Sequence, residues 1–124
     1  MQPASETPAD TRISIEPFSG VVTVRFSDAI IAPSKRAWIM RQAGSEPVLY
    51  VPFEDIYFEF LKKTDKVTRS AIGTASYWRV QAVNASSDDF MMAYETPEPW
   101  AAAIARHGCF DPAAAQIDVD PEAA

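Results

Sequence analysis

Ten prolines and four glycines cut this chain of 124 residues into short apolar runs, and that punctuation limits its folding options more than any other feature. The runs are rich in β-branched and aromatic residues, the composition of strands bounded by turns. Arg12 to Glu16 alternates as Arg-Ile-Ser-Ile-Glu and Val21 to Phe26 reads Val-Val-Thr-Val-Arg-Phe, with Pro17 to Gly20 turning between them. Ala29 to Ala32 and Ala37 to Arg41 predict two further strands around Pro33-Ser34-Lys35, where proline fixes φ for a turn. Gly44 to Pro47 punctuates the chain before a strand over Val48 to Val51, and Pro52 then opens Phe53 to Ile56, whose acidic Glu54 and Asp55 suit one helical turn. Tyr57 to Leu61 fits a strand by aromatic content, although a helix fits its periodicity as well.

Lys63 to Lys66 reads as a polar turn and Gly73 as a second one. Ala75 to Val83 then alternates cleanly, placing Trp78 and Val80 on one face and Tyr77 and Arg79 on the other. After a loop over Asn84 to Asp89 comes a strand over Phe90 to Tyr94. Pro97 and Pro99 introduce an alanine-rich helix, Trp100 to Arg106, with Gly108 as its stop, and Gln116 to Asp120 makes a last strand. The expected fold class is mainly β, a compact antiparallel, barrel-like sheet with one short helix in the C-terminal half. A disordered tail over residues 1–11, a single domain over 12–120 and a frayed end over 121–124 complete the expected organisation.

A net charge of -6 opposes a phosphate backbone, so nucleic acid is not an expected partner. The lone Cys109 excludes an internal disulfide and a cysteine-based zinc site, and with the absence of a basic, apolar leader it points to the cytoplasm. No apolar segment approaches membrane-spanning length, so no membrane association is expected.

The candidate site is the run Gly73-Thr74-Ala75-Ser76-Tyr77-Trp78. The hydroxyls of Thr74, Ser76 and Tyr77 beside a glycine turn suit a carboxylate or phosphate, with Trp78 or Tyr94 as a stacking face. The same residues equally suit plain sheet packing, with Gly73 present only for its backbone freedom. Asp55 is either a helix-start residue or an acid that orients Thr74 or Ser76. Gly44-Ser45 followed by Asp55 imitates half of a nucleotidyl-transfer site, but Tyr57 stands where the second carboxylate belongs and Glu59 lies too far along. Asp118 and Asp120 share a strand face at the chain's edge, where solvation explains them. His107 and Cys109 suit a helix end and a small packing residue better than a base and a nucleophile. No catalytic residue, metal or cofactor is assigned.

From about Val21 to Asp120 the chain resembles the domain of unknown function 427 family, also labelled nucleotidyltransferase-like. The resemblance lies in Tyr50-Val51-Pro52-Phe53-Glu54-Asp55-Ile56, Gly73-Thr74-Ala75-Ser76-Tyr77-Trp78, Tyr94-Glu95-Thr96-Pro97-Glu98-Pro99, Cys109-Phe110 and Ile117-Asp118-Val119-Asp120. It implies tent-like sheets akin to those of methionine sulfoxide reductase B, without the zinc ligands. Many relatives carry Cys-Pro-x-Lys before the glycine, where this chain has Arg69-Ser70-Ala71-Ile72. Phe53 stands where arginine is frequent and Met92 where tryptophan is. Three functions stay open: a non-catalytic domain binding a small polar ligand or a protein near Gly73 to Trp78, an enzyme acting on nucleotides or other activated small molecules, and an interaction module of unassigned oligomeric state.

Overall fold

A computed structural model describes residues 13–121. The expected tail over 1–11, the strand start at Arg12 and the chain's final three residues lie outside the described residues. Among the described residues ten strands follow one another: β1 (Ile13–Pro17), β2 (Gly20–Phe26), β3 (Ala29–Ser34), β4 (Trp38–Gln42), β5 (Val48–Pro52), β6 (Leu61–Arg69), β7 (Thr74–Ala82), β8 (Ala85–Tyr94), β9 (His107–Phe110) and β10 (Gln116–Pro121). Every pairing is antiparallel. A seven-stranded sheet in the order β1-β4-β5-β9-β8-β7-β6 packs on a three-stranded sheet in the order β10-β2-β3. The mainly β expectation therefore stands, as two sheets.

Side-chain alternation explains why the larger sheet has two apolar faces. Val51, Trp78, Val80 and Phe110 meet Val22, Val24, Ile31 and Ala32 of the smaller sheet in one core cluster. Their neighbours in sequence turn the other way, so Tyr50, Ala75 and Tyr94 form a second cluster with Met40, Ala101 and Ile104. Phe90 and Met91 both reach the first cluster, because a register shift opposite Trp78 and Val80 breaks the alternation, with Asp89 held at a φ of 55°.

The structure corrects five local expectations. The helix over Trp100 to Arg106 is instead a 3-10 turn over Pro99–Ile104, broken at Ala101 (φ -110°, ψ 20°). A run this short cannot meet the cost of helix nucleation, and Arg106 at a φ of 58° sends its N–H to the Tyr94 carbonyl, returning the chain to the sheet. Gly108 is accordingly not a helix stop but the middle of β9, where a Cβ would collide with the Met91 side chain and approach Ile56 Cδ1 at 3.0 Å. The strand expected over Tyr57 to Leu61 is a 3-10 turn at Phe58–Phe60, with β6 starting at Leu61.

Lys63 to Lys66 does not end a strand. It bulges out of β6 between Lys63 and Val67, and the Thr64 hydroxyl donates to the Tyr77 carbonyl at 3.3 Å. The expected loop over Asn84 to Asp89 is a tight hairpin in which Ala82 pairs with Ala85 and Asn84 takes a φ of 63°, a conformation asparagine tolerates.

Candidate functional site

Alternation along β7 divides the Gly73 to Trp78 run between two faces. Trp78 is 5% exposed and packs in the core between the sheets, edge-on to Phe53 at 5.8 Å and Phe58 at 6.3 Å, with Lys63 Nζ 5.4 Å from its ring centre. Its faces are occupied by the protein itself. Thr74, exposed, and Ser76, half-buried, fall on the same side of the strand as Trp78. Tyr77 and Tyr94 fall on the opposite side, in the second cluster.

The hydroxyls there are already paired. Tyr77 Oη lies 3.0 Å from Thr68 Oγ1 with Lys66 Nζ 4.6 Å from the ring centre, and Tyr94 Oη lies 3.3 Å from Ser70 Oγ. Gly73 takes a φ of 144° in a turn closed by mutual bonds with Ser70, and the Glu98 N–H donates to the Ile72 carbonyl at 2.7 Å. Its conformation thus serves the clasp between two loops.

Asp55 does not orient Thr74 or Ser76. Its carboxylate accepts from the hydroxyl of Ser34, 3% exposed, at 2.7 Å and from Arg36 Nη2 at 2.8 Å. The Arg36 hydrogen bond holds the carboxyl below its ordinary range against the opposing effect of burial, and Ser34 assists. The group ties the end of β3 to the turn after β5. The sequence-derived set is therefore spread over three places: Asp55 beside Arg36, Trp78 with Thr74 and Ser76 on one sheet face, and Tyr77 with Tyr94 on the other.

A concave site lies elsewhere, where the large sheet parts. β5 and β9 pair at Val51 with Gly108 and at Pro52 with His107, and the Phe53 N–H donates to the Arg106 carbonyl at 3.0 Å. The same register would set Tyr50 against Cys109 and Leu49 against Phe110, but pairing stops. Each strand is held on its outer edge instead, β5 by β4 as far as Val48 and β9 by β8 as far as Phe110. Between them opens a cavity of about 320 Å³. Leu49 and Val51 form one wall, Cys109, Phe110 and Pro112 contribute the other, and Val22, Val24 and Ile117 of the smaller sheet close the bottom. Glu46 and Pro47 stand at the rim, and among the described residues Glu46 is the one charged residue of the lining. A volume at the lower end of the ligand-pocket range with an apolar lining suits a small, mainly apolar molecule.

Sequence reasoning missed this place because it depends on two strands that fail to pair. The proline pair Pro47 and Pro112 is the only local signal, since both residues remove the N–H that would extend a ladder.

Behind the parting point, Tyr50 is 3% exposed and belongs to the second core cluster. Burial raises its phenol far above the ordinary value, with Cys109 and Tyr94 adding to the effect. Burial, reinforced by Asp111, likewise pushes the Cys109 thiol up to about 12. His107 Nδ1 donates to the Ala105 carbonyl at 2.8 Å. A thiol so rarely ionised is no nucleophile at neutral pH.

Two results follow from that thiol. Iodoacetamide at pH 8 should alkylate native Cys109 about a thousandfold more slowly than the urea-unfolded chain, whose thiol ionises near its ordinary value. Stability should also fall with alkaline pH. The unfolded thiol loses its proton above about pH 8.5 while the folded one keeps it, so the unfolded state binds fewer protons and stability drops by up to about 1.4 kcal/mol per pH unit. Tyr50 adds a loss of the same sign above about pH 10. Urea midpoints at pH 8 and pH 10.5 check this, and equal midpoints contradict it.

Among the described residues no group of three or more histidine, cysteine, aspartate or glutamate side chains is placed to hold a metal ion, and no helix is long and apolar enough to cross a membrane. Asp118, one of the two carboxylates sharing a face of β10, is exposed and lies 3.4 Å from Arg25 Nε.

The chain belongs to the DUF427 family, a domain of unknown function, whose model, named NTP_transf_9, matches residues 14–121. No curated protein matches it significantly.

Proposed function

We propose that this member of the family is a binding domain for a small, mainly apolar molecule, received in the gap between β5 and β9. The observation that carries the reading is the cavity of about 320 Å³ between two strands that stop pairing while each is fixed on its other edge. A pocket built this way is preformed, so a ligand loses little affinity to reorganisation of the protein. The other candidate surface, around Gly73 to Trp78, has its tyrosine hydroxyls and its tryptophan engaged by protein groups. Asp55, the acid of the nucleotide reading, is engaged by Arg36 and Ser34. Both facts favour recognition at the gap over nucleotide chemistry at the strand.

Titration calorimetry with 2-phenylethanol tests the reading. Binding with a dissociation constant of about 1 mM is expected for an apolar body of this size. Leu49 is half-buried on the cavity wall, so Leu49→Trp should fill the space and weaken binding about tenfold or more while the circular dichroism spectrum stays native. Equal binding by the two proteins would remove the gap as the site.

A further inference from the structure

We infer that the gap between β5 and β9 selects molecules with an apolar body and a cationic head, an organic ammonium group set against Glu46. The inference rests on the binding reading above and adds the chemistry of the ligand. The walls and floor are mainly aliphatic or aromatic, supplied by Val22, Val24, Leu49, Val51, Phe110 and Ile117 with the Cys109 thiol among them, and carry no charged side chain among the described residues. Among the described residues charge enters at the rim, where Glu46 is exposed and no lysine, arginine or histidine accompanies it in the lining. Asp111, between the lining residues Phe110 and Pro112, adds a second negative group nearby, its Oδ1 accepting from the Ala113 N–H at 3.0 Å. The chain as a whole carries a net charge of -6, so the field over the mouth attracts cations and opposes carboxylates and phosphates.

The geometry also sets the size of the preference. A carboxylate at a solvated rim interacts through high dielectric and is screened by salt, so its effect is a modest selectivity on top of apolar burial. Against a neutral molecule of the same body, the ammonium form should bind about two- to fivefold more tightly, and against the carboxylate form about tenfold. Raising the salt to 0.5 M, where the screening length is only a few ångströms, should shrink both ratios toward one.

The experiment compares phenethylammonium, 2-phenylethanol and phenylacetate on the native protein and on Glu46→Gln by titration calorimetry, with Leu49→Trp as the control for the site. Glu46→Gln removes a charge from an exposed side chain and leaves the fold intact, so a change in ranking reports the charge. The expected result is the order ammonium, alcohol, carboxylate in the native protein, compressed to within about twofold in Glu46→Gln. If all three bind the native protein alike, with Leu49→Trp weakening each, the charge inference is overturned and the gap remains the site. If the order persists unchanged in Glu46→Gln, Glu46 is not the selecting group and the inference is again overturned. If none of the three binds, the reading of the gap as a binding site falls, and this inference with it.

Discussion

Phe90→Ala is expected to cost about 3–5 kcal/mol of folding stability. Phe90 is fully buried and meets Phe26 of the smaller sheet edge-on at 5.3 Å and Phe110 of β9 at 5.6 Å. It therefore joins the two sheets at the level of the strand that borders the gap. Truncation removes apolar area from the core and leaves a cavity that neither sheet can collapse into, since each is fixed by its own ladders. Against a total of about 5–15 kcal/mol for an ordinary domain, the loss leaves a much less stable protein. Urea unfolding measures it directly, and a midpoint within error of the native protein's would mean that the sheets are not held together through this cluster.

Gly73→Ala is expected to cost about 1–3 kcal/mol, by a different route. At a φ of 144° an alanine is strained whatever its surroundings, and its Cβ would also sit 3.1 Å from Pro97 Cα and 3.5 Å from the Thr96 carbonyl oxygen. The neighbours are backbone atoms of a loop bonded to Ile72, so they cannot move aside without breaking the clasp. Because Gly73 is not part of the cavity lining, binding of 2-phenylethanol by the folded variant should be unchanged. A lower urea midpoint with native affinity is the expected pair of results. An unchanged midpoint would contradict the strain, and affinity lost in proportion to stability would move the site back toward Gly73.

The strands that carry their own local pattern were legible in the sequence. β7 is the clearest case, since Trp78 and Val80 face one way and Tyr77 the other, as alternation requires. The late helix was not legible, because consecutive alanines fit a helix as readily as they fit the tight 3-10 turn that Ala101 and Ile104 press onto the second cluster. β9 was hidden for a related reason. His107-Gly108-Cys109-Phe110 has a glycine at its centre and no β-branched residue, and it is a strand because β5 and β8 flank it. Lys63 to Lys66 looked like a turn because charged residues favour solvent, and a bulge exposes them without ending β6.

The candidate site was legible only in part. The sequence displayed Thr74, Ser76, Tyr77 and Tyr94 as a set of hydroxyls, but not that Thr68 and Ser70 would come across to engage the two tyrosines. Asp55 stood out as an acid, yet its partners Ser34 and Arg36 lie on the far side of two strands in sequence. The gap depends on pairing that stops between segments more than fifty residues apart, which no local periodicity records.

On the proposed reading, the parting of β5 and β9 is where this protein receives a ligand. Backbone amide chemical shifts followed through a titration with 2-phenylethanol report the place of binding residue by residue. The largest changes are expected at Val48, Leu49, Cys109, Phe110 and Ile117, on the two walls and the floor of the cavity. Changes centred on Thr74 to Trp78 and Tyr94, or none at millimolar ligand, would contradict it.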